Sequence, residues 1–132
     1  MTCVVDASLV VEAVIGTGPA RAWCQDLLEH EELAAPHFML AEAANLLRRA
    51  ALFRDVSVEQ ASQAHAELVA LKVSLFPYLP YGARIWELRN NVSAYDAWYV
   101  ALAEDLGVPL ATLDGNLMRS PGPRCQFLTF PG

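Results

Sequence analysis

From Ala94 to Leu106 the chain reads A-Y-D-A-W-Y-V-A-L-A-E-D-L, apolar nearly all round. A helix without a broad polar face belongs inside a protein. Ser93, three residues before Asp96, is a helix-start signature of the capping-box type. Gly107 supplies the stop, and Pro109 ends any continuation. Leu110 to Leu113 is a short apolar run that suits a buried parallel strand. It ends in Asp114. One carboxylate thus stands at a helix start and another at a strand end, where both termini can face the same crevice.

The remaining pattern alternates short β-prone runs with helical periods. Thr2 to Val5 predicts a first strand, closed by Asp6. Leu9 to Ile15 reads as helix, Gly16, Gly18 and Pro19 as a break, and Ala20 to Leu28 as helix again. Leu33 to Ala35 is a second strand, after which Pro36 should open a helix running from about His37 to Phe53. Ser57 caps a helix over Val58 to Leu71. Val73 to Phe76 is a strand, Gly82 to Asn90 a helix, and Asn116 to Met118 a short helix or turn. Pro121, Gly122 and Pro123 form a loop before a last strand, Gln126 to Phe130. This alternation predicts an α/β fold: one domain, residues 1–132, with a central parallel sheet of four or five strands flanked by helices. No repeat, linker or low-complexity tract interrupts it.

Composition changes the picture in three ways. With 132 residues, 55% apolar and 18% charged, the chain can bury a proper core. No apolar run approaches the ~18 residues of a membrane span, and no basic segment precedes the first strand as in a signal peptide. The three cysteines, Cys3, Cys24 and Cys125, are widely spaced. That spacing indicates neither a zinc ribbon nor a disulfide scaffold and suits a reducing, cytoplasmic setting. His30, His37 and His65 form no metal-binding motif and read as surface or loop residues. The net charge of −6 argues against coating nucleic acid by bulk electrostatics. If four acids were gathered around cations, the remaining 11 of the 15 acids would nearly balance the 9 Lys and Arg.

Four acids stand in different elements: Asp6, Glu42, Asp96 and Asp114. Each has a plainer reading. Asp6 and Asp96 could cap helices, and Asp114 before Gly115 could only make a turn. Glu42, on a stripe with Phe38 and Leu46, could pair with Arg49. Convergence explains all four together, because strand carboxyl ends and helix starts meet at one edge of an open α/β sheet. Two charges about 4 Å apart repel by roughly 4 kcal/mol at an effective dielectric of about 20. Protons or cations must therefore fill such a pocket. Oxygen ligands without His or Cys suit hard ions, Mg²⁺ or Mn²⁺, and such ions orient phosphate esters and activate water.

The opening V-V-D-A-S, the helix L-A-E-A-A-N-L-L-R-R, the block Y-D-A-W-Y-V-A-L-A-E-D-L-G-V-P-L and the T-L-D after it resemble a PIN-domain ribonuclease, and within that family the VapC toxins of toxin–antitoxin pairs. The resemblance covers essentially the whole chain. It places the family's acidic site on Asp6, Glu42, Asp96 and Asp114. Asn116 falls where the family often has a further polar or acidic residue, and Ser8 matches the small hydroxyl residue after the first acid; both are helpers. It implies a Mg²⁺- or Mn²⁺-dependent endoribonuclease that leaves a 5′ phosphate and a 3′ hydroxyl. It also implies a homodimer and a VapB-like antitoxin that lays a segment, often with a basic side chain, across the pocket. Asp6 and Asp96 would hold the principal ion, with Asp114 and Glu42 completing the site or orienting its waters.

Two other classes remain open. A catalytically silent module of this fold would use the acidic pocket only to receive a basic antitoxin peptide. A receiver domain or phosphatase would need a nucleophilic Asp and a suitably placed Lys, but the only lysine is Lys72, far from any acidic strand end. Arg48, Arg49, Arg54, Arg84, Arg89 and Arg119 are candidates for contacts to an RNA backbone or for ordinary solvated surface. Trp98 is assigned to the core, while Trp86 and Tyr99 stay open between core, dimer interface and antitoxin groove.

Overall fold

A computed structural model describes residues 1–132. Its sheet contains β1 (Thr2–Val5), β2 (Glu32–Pro36), β3 (Ser74–Phe76), β4 (Leu110–Ala111) and β5 (Phe127–Leu128). The order is β3-β2-β1-β4-β5 and every pairing is parallel. The helices are α1 (Ala7–Ile15), α2 (Arg21–His30), α3 (Met39–Leu52), α4 (Val58–Ala70), α5 (Gly82–Glu87), α6 (Ala94–Leu106) and α7 (Gly115–Arg119). A single 3₁₀ turn, Leu79–Tyr81, precedes α5. No helix is long and apolar enough to cross a membrane.

The central strand explains why the sheet is parallel. Cys3, Val4 and Val5 are wholly buried, as a strand with neighbours on both sides and helices over both faces must be. Val4 pairs with Ala34 on one side and Leu110 on the other. The chain builds outward from β1 to β2 and β3, then returns to lay β4 on the opposite side of β1. The strand order thus reverses between β1 and β4, the place where open α/β sheets bind ligands beyond their carboxyl ends.

The central helix is as apolar in space as in sequence. Ala97, Tyr99, Val100, Ala101, Leu102 and Ala103 are buried, and α6 packs on β1, β2, β4 and α5. Ser93 caps it by accepting from the Asp96 N–H at 3.1 Å. Gly107 ends it in the left-handed region at φ 66°, a conformation glycine adopts without the Cβ penalty.

Helix α5 ends at Glu87 rather than Asn90, Leu88 to Asn90 forming a turn; three further boundaries differ from expectation. Pro36 does not open a helix; it closes β2, paired with Phe76. The His37 N–H donates to the Phe76 carbonyl at 2.9 Å, so by alternation the missing N–H of Pro36 falls on the β1 side. Pairing with β1 has already ended there, at Val4 and Ala34. Helix α3 then starts at Met39. Strand β4 stops at Ala111 rather than Leu113, although the Thr112 N–H still donates to the Leu128 carbonyl at 3.0 Å; the Thr112 side chain turns into the site described below. The last strand is confined to Phe127–Leu128, and Phe130 instead packs on Trp23, ring centroids 6.3 Å apart.

Arg84 is not free to touch RNA. Its guanidinium forks onto Glu104 at 2.8 and 3.1 Å, bonds Glu87 at 3.2 Å and reaches the Gly122 carbonyl at 2.9 Å. Glu104 also accepts from the Arg124 N–H at 2.7 Å. Burial alone would raise the Glu104 carboxyl, but the Arg84 and Arg124 contacts hold it below its usual value. A depressed carboxyl stabilises the fold above the ordinary carboxylate range and loses that contribution as pH falls through its lowered value. Replacing Glu104 with Gln is expected to cost about 2 kcal/mol in urea unfolding at neutral pH, and the difference should shrink in acid; equal midpoints at neutral pH would show that this tie does not hold the C-terminal loop.

Candidate active site

Asp6 follows the central strand and caps α1. Its Oδ1 accepts from the Leu9 N–H at 3.1 Å and from the Ser8 hydroxyl at 2.7 Å. Its Oδ2 accepts from the Thr112 hydroxyl. Thr112, fully buried beyond β4, accepts in turn from the Asp114 N–H at 3.0 Å. The two strand-end acids are therefore tied through one threonine. Asp114 caps α7, its Oδ1 accepting from the Asn116 and Leu117 N–H groups at 2.9 and 3.2 Å. The capping reading of Asp6 holds, and Asp114, read as a turn residue, caps a helix as well; the caps fix each carboxylate without neutralising it.

Glu42 and Asp96 come from the two helices that cross this edge. Glu42 lies in the first turn of α3. Its partner is not Arg49: the Tyr99 hydroxyl donates to its Oε1 at 2.8 Å and accepts from the Ala7 N–H at 3.2 Å. That one buried hydroxyl joins α6, α3 and the start of α1. Asp96 is half-buried in the first turn of α6, with Ser93 rather than itself as the cap.

The acids feel one another. Burial raises the Asp6 carboxyl above its usual range; the donors from Thr112, Ser8 and Leu9 pull it down, and the charge of Asp114 adds to the rise. Glu42 is raised by burial, against its bond from Tyr99, with Asp6 and Asp96 adding to the rise. Asp96 is raised by burial and then by Asp114 and Asp6. The Tyr99 hydroxyl is held far above its ordinary value by burial and by Glu42. None of the four carboxylates takes part in an ion pair.

The donor set is all oxygen and uncompensated, which fits a hard divalent ion. Yet no three His, Cys, Asp or Glu side chains are gathered as a ready cage. Mg²⁺ binds through one or two carboxylates and keeps several waters, so this looser spacing accommodates it. A surface cavity of about 940 Å³, lined by Glu31, Glu67 and Lys72 among others, lies at the opposite, amino-terminal edge of the sheet.

The helper residues divide. Ser8 braces Asp6, whereas the Asn116 side chain is exposed and accepts from Arg119 at 2.8 Å. Arg89 lies over the Trp86 ring, 4.8 Å from its centroid. Two residues of the site escaped the sequence reading. Thr112 offered a signal as the one hydroxyl in an apolar strand, two positions before an acid. Tyr99 offered another, since a buried tyrosine hydroxyl needs a partner. Trp98, assigned to the core, is only half-buried.

The fold and site define an α/β protein with an acidic cluster at the switch point of a five-stranded parallel sheet. Residues 3–122 match the PIN domain family. Ribonuclease VapC1 of Mycobacterium tuberculosis is 43% identical over 126 residues, covering 95% of each chain. Among solved structures, PAE2754 from Pyrobaculum aerophilum superposes with a TM-score of 0.73 at 23% identity, over 96% of this chain and 83% of that one. VapBC2 from Rickettsia felis, bound to a DNA fragment from its promoter, gives 0.66 at 14% identity, over 98% and 99%. The chain belongs to the PIN-domain family, and within it to the VapC ribonucleases.

A carboxyl raised by folding binds its proton more tightly folded than unfolded. The contribution of these three groups to stability is greatest below the ordinary carboxylate range and falls as pH rises through the raised values of Asp6, Glu42 and Asp96. Metal-free Asp96→Asn should melt higher than metal-free wild type at neutral pH, with the gap closing in acid. A lower melting temperature at neutral pH would show that the cluster carries no such repulsion.

Proposed function

We propose that this chain is a Mg²⁺- or Mn²⁺-dependent endoribonuclease, the toxin partner of a VapB-like antitoxin. The observation that carries this reading is the set of four carboxylates at one sheet edge, none of them in an ion pair. Asp6 and Asp96 would hold the principal ion, and Asp114 and Glu42 would complete the site. When bound, the ion would supply charge neutralisation, orientation of the phosphate and activation of water. The protein's own work is positional. Thr112 and Ser8 hold both oxygens of Asp6, α7 holds Asp114, and Tyr99 fixes Glu42 against α1. Cleavage would leave a 5′ phosphate and a 3′ hydroxyl.

The same uncompensated charge would receive a basic antitoxin side chain, which would then compete with the ion for the pocket. The chain is expected to form a homodimer. A second reading is a silent module whose negative pocket only binds such a peptide. The two part on one assay. Purified, antitoxin-free protein is incubated with total cellular RNA in Mn²⁺, in chelator, or as Asp96→Asn, and new 5′ ends are mapped. Discrete ends that need both Mn²⁺ and Asp96 are expected. RNA left intact under every condition would favour the silent module.

A further inference from the structure

A row of aromatic side chains stands beside the acids. The rings of Tyr95 and Phe38 lie 5.5 Å apart at 52°, Phe38 stacks on Trp98 at 5.2 Å and 26°, and Tyr78 meets Trp98 edge-on at 5.4 Å. This row is interleaved with the site. Tyr95 immediately precedes Asp96. Phe38 lies one turn before Glu42, whose N–H donates to the Phe38 carbonyl at 3.0 Å, and its ring is 5.2 Å from that of Tyr99. Tyr95 is nonetheless 64% exposed and Tyr78 43% exposed. A large ring kept in water next to a catalytic cluster is not filling the core.

The charge balance says what such a ring is for. The chain carries a net charge of −6, and the acids themselves repel a phosphate backbone. Arg84 is tied to Glu104, and Arg119 bonds Asn116. With these two arginines engaged elsewhere, contacts that need no charge can add to the grip on an RNA beside the acids. Stacking of unpaired bases on aromatic faces is such a contact, and it tolerates any base.

We infer that Tyr95, buttressed by Phe38, is the platform on which a base flanking the scissile phosphate stacks. A base inside a duplex cannot reach a ring, so Tyr95 would engage an unpaired nucleotide of the substrate. This inference rests on the ribonuclease reading of the same site.

The test uses short oligoribonucleotides of mixed sequence carrying 2-aminopurine, bound in chelator so that they stay intact. Fluorescence reports stacking, and sedimentation of the same samples reports assembly. Wild type and Tyr95→Phe should quench the probe. Tyr95→Ala should bind about tenfold more weakly, about 1.4 kcal/mol, and lose the quench, with sedimentation unchanged. No quench by wild type, or equal binding and quench by Tyr95→Ala, would overturn the platform. A Tyr95→Ala protein that changes its assembly instead would assign this edge to a second copy of the chain, and also overturn it. Asp96→Asn separates the two layers of the argument: it should abolish metal-dependent cleavage while keeping the quench. Cleavage that survives Asp96→Asn would refute the acidic site, whatever Tyr95 does.

Discussion

Asp6 is a carboxylate buried to 7% exposure at the end of the central strand, without a cationic partner. Such a group is costly in a protein interior unless its oxygens are bonded and its charge is met. The fold satisfies the first condition from within: the α1 amino end, Ser8 and Thr112 supply donors to both oxygens. It leaves the second unmet. Three more acids surround Asp6, and two of them are, like it, pushed towards protonation. A fold selected only for stability would place a lysine or an apolar side chain here. The repulsion is a standing cost that a bound cation or a basic side chain would relieve.

The rest of the architecture keeps that site rigid. β1 and β4 are adjacent, so Thr112 can span from Asp6 to the Asp114 amide. Helix α6 is sunk in the core, so Asp96 and Tyr99 are held by packing rather than by charge. The Tyr99 hydroxyl then fixes Glu42 from a third element. At the opposite end of α6, the Arg84–Glu104 fork closes the C-terminal loop, placing the strongest ion pair well away from the acids. Arg84 is thus spent on structure, away from the acids.

Much of this was legible in the sequence wherever the deciding interaction is local. Ser93 and Gly107 bracket α6, Ser57 caps α4, and the apolar runs mark the strands. Asp6, Asp96 and Asp114 could be nominated from their places at the ends of such elements, and Glu42 from its apolar stripe. What was not legible is non-local. Pro36 reads as a helix opener until β1 is seen to end beside it. Arg84 reads as a surface charge until Glu104, on another helix, is brought to it. The bond from Thr112 to Asp6 joins residues 106 apart, and nothing near either position announces it. The spacing of the acids also had to be seen: they share an edge, but do not form a closed cage.

The most direct test of the account is anomalous diffraction from crystals of the protein grown with Mn²⁺. The account predicts a Mn²⁺ peak bonded to Asp6 and Asp96, which disappears in Asp96→Asn crystals grown the same way. A Mn²⁺ peak elsewhere, with these carboxylates protonated or bonded only to water, would contradict it.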